Sequence, residues 1–182
     1  MQQWKHMLRP QLTSAALLTA VLAGALLGLG LSAAVRAAIP AGIAQRSTLT
    51  TTQSNTAIAQ DLLRLVNAER QRANVSPLVL NEKLATAAQR HSQDMATSRR
   101  MSHTGSDGST MRSRIDATQY AWSTIGENVA MGQPTAAAVM TAWMNSPGHR
   151  QNILNPAFTE LGVGQATGGG RLYWTQLFAR PR

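Results

Sequence analysis

Glu160-Leu-Gly-Val-Gly-Gln-Ala166 and Arg171-Leu-Tyr-Trp-Thr-Gln-Leu-Phe178, separated by Thr167-Gly168-Gly169-Gly170, decide the fold class. Two runs of strand-forming residues joined by a short glycine-rich turn read as an antiparallel hairpin. Gly162 and Gly164 recur at the two-residue spacing of one strand face, so that face leaves room for the close approach of another layer. The residues before the hairpin carry mainly helical periodicity. Helices, an extended segment, further helices and a terminal hairpin imply an α+β domain, a small antiparallel sheet covered by helices rather than repeated βαβ units.

Immediately upstream lies Trp143-Met-Asn-Ser-Pro-Gly-His-Arg-Gln-Asn-Ile-Leu154. Ser146 followed by Pro147 is a helix-entry signal, because a hydroxyl can cap free amides and proline suits the first helical position. His149 then falls in the first turn, where the helix dipole disfavours its protonated form. A histidine held neutral there suits a base, a metal ligand or a hydrogen-bonding strut.

Further upstream, Ile58, Leu62, Leu65 and Val66 recur at helical spacing, with Asp61, Arg64, Glu69 and Arg70 mostly on other faces. Asn55 or Thr56 is the expected cap of this helix, and Ala73 its expected end. Leu78-Val79-Leu80 is extended. Asn81 caps a second helix with Leu84, Ala87, Ala88, His91 and Met95 along one stripe. His91 reads as a partly buried residue hydrogen-bonded to a neighbouring element, outside any site. His103 lies in the turn-rich stretch Met101 to Thr110, where packing alone seldom requires a histidine. Ser109 or Thr110 caps a short helix, Gly126-Glu-Asn-Val-Ala130 is extended, and Pro134-Thr135 opens a third long helix with Val139, Met140 and Trp143 facing inward.

The chain has 182 residues, no cysteine and a formal charge of +9. The length suits one domain with appendages, and the absence of cysteine excludes disulfides and thiolate metal sites. Residues 1–38 read as a signal peptide or an uncleaved membrane anchor: Lys5 and Arg9 precede an uncharged, Leu- and Ala-rich run from Leu12 to Val35. Either reading puts the remainder outside the cytoplasm, secreted, in the periplasm or in the cell envelope. Residues 39–56, ending in a Ser/Thr tract, read as a flexible linker, and residues 57–182 as the folded domain. Without Lys5, Arg9 and Arg36 there remain 14 basic against 8 acidic residues, a diffuse excess that suits anionic lipid, wall polymer or nucleic acid alike.

Several blocks together carry a family resemblance. Leu65-Val-Asn-Ala-Glu-Arg70, Leu84-Ala-Thr-Ala-Ala-Gln-Arg-His91, Met101-Ser-His103, Gly126-Glu-Asn128, Ala142-Trp143, Ser146-Pro-Gly-His-Arg150, Asn152-Ile-Leu-Asn-Pro156 and Leu161-Gly-Val-Gly164 occur in the family's order. The chain resembles the CAP superfamily of cysteine-rich secretory, antigen 5 and pathogenesis-related 1 proteins, in its bacterial SCP-domain branch. The resemblance implies a three-layer α-β-α sandwich with a cleft at the sheet's edge, where two histidines and two acids can bind a divalent metal such as zinc. His103 matches the first histidine, Glu127 the first acid and His149 the second histidine. The second acid has no match: Met144-Asn145-Ser146 follows Trp143 where relatives usually carry it. Glu160 is a candidate to enter the cleft from the hairpin.

Two imidazoles and a carboxylate are a competent zinc set with an open position for water. The alternative is a polar network tying loop, strand and helix together. Asn128 and Asn152 read as fixing loop backbone, and Trp143, Trp174 and Phe178 as core aromatics. Two functions follow from the resemblance: a secreted or envelope-tethered module binding lipid, cell-wall fragment or peptide, or a metal-assisted hydrolase of envelope or extracellular polymer. Shared enzymatic activity does not define the superfamily, which favours the first. Nucleic-acid binding rests on charge alone and lacks a motif. The membrane is a partner only through an uncleaved N-terminal segment.

Overall fold

The computed structural model describes residues 41–182, with side chains from residue 55 onward; the leader and its cleavage lie outside the described residues. The first helix, α1, runs Ala41–Arg72. It therefore does not begin at a cap on Asn55 or Thr56, and the stretch expected to be a linker is helical from residue 41. No glycine or proline interrupts the sequence from Ile43 to Thr56. Each Ser or Thr costs at most about 0.7 kcal/mol relative to alanine, and extending an existing helix avoids a second nucleation.

The strand β1, Val79–Leu80, leads to α2, Glu82–Ser98, which Asn81 caps by accepting from the Lys83 and Leu84 amides. Thr110 caps the short helix α3, Met111–Asp116, through a reciprocal box with Ser113. β2 spans Trp122–Met131, and α4, Ala136–Met144, starts on a Thr135 cap. With nine residues α4 is shorter than expected, because α5, Pro147–Leu154, begins almost at once. β3, Glu160–Gly168, and β4, Arg171–Pro181, form the hairpin. Gly169 and Gly170 turn it with φ of +56° and +75°, the paired positive values that a two-residue turn between twisted strands requires.

The sheet order is β1-β3-β4-β2. β4 is antiparallel to both neighbours, and β1 adds a two-residue parallel edge beside β3. Glu127, Leu177 and Gly162 share one row, and Asn128, Gln176 and Val163 the next. Alternation sends these rows to opposite faces. The face of Leu177 and Ala179 packs on Leu84, Ala87 and Ala88 of α2 and Ile115 of α3. The other, with Leu161, Trp174 and Phe178, packs on Leu62 and Val66 of α1, Trp143 of α4 and Ile153 of α5. The result is the expected three-layer α-β-α sandwich.

Helix α2 lies directly on the β3 backbone. A Cβ at Gly162 would stand 2.2 Å from the Leu84 carbonyl carbon, and one at Gly164 2.3 Å from that of Ala88. Backbone atoms cannot give way as a flexible side chain can, so even a methyl group forces the layers apart. Gly164→Ala is expected to lower unfolding free energy by about 3 kcal/mol, as overpacking of a close-packed layer does. Gly148→Ala, where a Cβ meets open space inside α5, is expected to raise it by up to about 1 kcal/mol. Urea melts of the two variants beside the parent chain test both signs.

Candidate functional site

The site is built on β2, the edge strand opposite β1. Adjacent residues of β2 point to opposite faces, and each recruits a different layer. Glu127 turns toward α3 and the loop before it. Its Oε2 accepts from the Arg114 guanidinium at 2.6 Å and its Oε1 from His103 Nδ1 at 2.8 Å. The carboxylate is 3% exposed and the Arg114 side chain 8%, whereas His103 is 61% exposed. Arg114 also donates to the Ser109 and His103 carbonyls, at 3.0 and 3.2 Å. The loop bearing His103 is thus clamped by a buried ion pair. Because a carboxylate only accepts, His103 Nδ1 carries the proton, and in the neutral ring Nε2 is left as a bare lone pair.

Asn128 turns the other way, toward α5. Its Nδ2 donates to the His149 carbonyl and to Gln176 Oε1, both at 3.2 Å. Asn152 answers from α5, donating to the Glu127 carbonyl at 3.1 Å and to Asn128 Oδ1 at 2.9 Å. Both amides spend both N–H groups, so α5 is stitched to the strand beside the carboxylate. His149 sits in the first turn of α5, as expected, and is half-buried. Burial pushes its pKa below the ordinary histidine value, and the charge on His103 lowers it further. The two imidazoles, brought from opposite layers to one sheet edge, feel each other.

Other expectations are corrected. Glu160 does not join this group: its Oε2 accepts from Asn81 Nδ2 at 3.1 Å and from the Tyr120 hydroxyl. β4 separates β3 from β2, so Glu160 starts two strands away from Glu127. The Ser146 hydroxyl makes no capping bond; α5 starts on Pro147 and on the Ser146 carbonyl, which accepts from the Arg150 amide at 2.9 Å. Arg70 is fully buried rather than outward-facing. Arg114 was missing from the sequence reading, although its position three residues after Met111 places it near the inward stripe of α3. His91 is buried as expected, and its Nε2 donates to the Ser102 carbonyl at 2.8 Å.

The expected metal set of His103, Glu127 and His149 thus offers two imidazoles and a carboxylate whose oxygens are both engaged. Among the described residues no group of three or more His, Cys, Asp or Glu is placed to hold a metal ion.

A helix-covered four-stranded sheet with histidines at one edge defines a CAP or SCP-type domain. Residues 63–178 match the model of the cysteine-rich secretory protein family (CAP), and the chain belongs to that family. It is 39% identical over 140 residues to YkwD, an uncharacterized protein of Bacillus subtilis, covering 76% of this chain and 54% of that one. An extracellular protein containing an SCP domain from Bacillus anthracis matches in structure with a TM-score of 0.64 and 33% identity, over 69% of this chain and 41% of that one. An outer surface protein of Borrelia burgdorferi shares the fold with a TM-score of 0.64 at 23% identity, over 72% of this chain and 96% of that one. The chain thus spans only about half the length of the two Bacillus relatives.

Two predictions test the site. Removing one member of a buried pair leaves the other charge uncompensated, so Glu127→Ala is expected to cost about 3–5 kcal/mol in a denaturant melt. His91 and His149 both have lowered pKa values, burial being the larger cause in each. The unfolded chain therefore binds more protons, and stability is lost as pH falls below the ordinary value of 6.5. Melting temperature followed against pH should show that fall, with a shallower slope in His149→Gln.

Proposed function

We propose that the protein is an extracytoplasmic binding module that holds a polar group of an envelope polymer at the sheet edge, between His103 and His149. The observation that carries this reading is the opposed delivery of the two imidazoles, one oriented by the buried Glu127–Arg114 pair and the other by α5. A histidine fixed by a carboxylate through Nδ1 presents Nε2 outward in a defined direction, the geometry of a recognition group. The polar surroundings favour a wall fragment over a lipid tail.

The hydrolase reading needs Glu127 as a general base. Its carboxylate is held by Arg114 and His103 with little exposed surface, which supports binding over turnover. The extracytoplasmic placement draws on the charged-then-apolar leader and on the descriptions of the Bacillus anthracis and Borrelia burgdorferi proteins as extracellular and outer-surface. No helix among the described residues is long and apolar enough to cross a membrane.

Sedimentation with purified cell-wall sacculi tests the proposal. The parent chain is expected to co-sediment, and the His103→Ala/His149→Ala double variant to bind roughly tenfold more weakly while staying folded. Equal retention of the two proteins would refute it. A divalent cation between the imidazoles is a second reading, favoured by the outward Nε2 of His103. Zinc uptake measured on the same two proteins decides it: loss in the double variant supports a site at the edge, and equal uptake removes it.

A further inference from the structure

The turn of the β3–β4 hairpin and the last turn of α2 make one end of the sandwich. α2 runs along β3 in the same direction: a Cβ at Gly162 would meet Leu84, one at Gly164 Ala88, and one at Gly168 the Ala96 carbonyl. The close of α2 therefore stands over the hairpin turn. Arg99 caps it with φ of +54°, and its side chain lies along Gly169, where an added Cβ would be 3.3 Å from Arg99 Cδ. The Arg100 amide donates to the Met95 carbonyl at 3.1 Å, and Arg171 opens β4 opposite Gly168. Three arginines from two layers thus share this end.

All three are exposed, and among the described residues none is paired with a carboxylate. By contrast Arg114 holds Glu127, and Arg180 and Arg182 donate to the Ala157 and Trp122 carbonyls at 2.7 and 2.8 Å. One terminal nitrogen of Arg171 reaches only the Met131 sulfur, a weak acceptor, at 4.0 Å. Asp94, the last acid of α2, accepts from the Ser106 amide at 2.9 Å. Met101, next in the chain after Arg100, leaves 47% of its surface exposed.

A cation at a helix C-terminus is stabilised by the helix dipole, which accounts for Arg99 and Arg100. It does not account for Arg171, which belongs to the sheet, nor for an apolar side chain left in water beside them. Unpaired cations next to an exposed apolar group suit a surface that rests on lipid headgroups: the cations meet phosphates and the apolar group meets the acyl boundary. A hydrated phosphate polymer would use the charge alone.

We propose that this end of the domain, with Arg99, Arg100, Met101 and Arg171, docks on the surface of a bilayer rich in anionic phospholipid. The contact belongs to the folded domain, acts apart from the apolar leader, and is independent of what the histidines at the β2 edge hold. Each arginine strengthens partition about fivefold, and the attraction fades within a Debye length, about 8 Å at physiological salt.

Arginine footprinting of the full chain with hydroxyphenylglyoxal, read residue by residue by mass spectrometry, tests this contact separately from insertion of the leader. Vesicles of phosphatidylglycerol are expected to slow modification of Arg99, Arg100 and Arg171 severalfold, and vesicles of phosphatidylcholine to leave it unchanged. Arg112, stacked over Trp122, and Arg180 lie toward the far end of β4, about 30 Å from Arg171, and should react alike with either lipid. In Arg100→Gln/Arg171→Gln the lipid concentration that half-protects Arg99 should rise roughly twenty-five-fold at unchanged melting temperature. Absence of protection, or equal protection by phosphatidylcholine, overturns the proposal, as does an unshifted Arg99 midpoint in the folded double variant. Soluble polyphosphate that protects as well as phosphatidylglycerol at equal phosphate concentration assigns the patch to a polymer and overturns the bilayer.

Discussion

Arg70 has a fully buried guanidinium that meets no carboxylate; it holds four backbone carbonyls. Nε donates to Ser76 at 2.7 Å, one terminal nitrogen to Ile153 and Asn155 at 2.8 and 3.0 Å, and the other to Phe158 at 3.1 Å. Desolvation pushes its pKa down, the expected response of a cation removed from water. Several charge-assisted bonds offset that cost, and they act on carbonyls at the end of α5 and along its exit. One side chain of α1 thus fixes the turn before β1, the end of α5 and the approach to β3. With the exit of α5 pinned there, its first turn has a defined place beside β2.

That place gives the edge site its rigidity. α5 is held at its far end by Arg70 and against β2 by Asn128 and Asn152. On the opposite face, α2 rests on β3 through glycines, and Ser92 bonds Thr175 in the buried contact between helix and sheet at 2.9 Å. The His103 loop is then closed onto β2 by Arg114 and Glu127. Each histidine is positioned by groups that belong to regular elements, which is how binding residues on loops or helix starts acquire direction.

The parts of this arrangement that obey short-range rules were legible in the sequence. The Asn81 cap, the glycine-rich hairpin and the helix start at Pro147 each follow from chemistry within a few residues, and all three stand in the structure. His103, Glu127 and His149 entered through ordered family blocks, and the fold brings them to one edge. Arg70 and Arg114 escaped because arginine ordinarily marks a solvent face. Yet Arg70 continues the i, i+4 stripe of Leu62 and Val66, and that spacing was the available signal. Glu160 failed for a different reason: strand order decides its neighbours, and no local pattern encodes that β4 lies between β3 and β2.

The departure at Met144-Asn145-Ser146 has an electrostatic consequence. These residues form the junction of α4 and α5 and bring no carboxylate to the edge. Glu127 is then the acid that meets His103, and Arg114 opposes its charge at 2.6 Å. A second carboxylate would have left net negative charge beside His103 and His149 and favoured cations by direct attraction. With an ion pair instead, the carboxylate charge beside His103 is balanced by Arg114. Glu127 acts less as a donor of charge than as the group that decides which nitrogen of His103 faces outward.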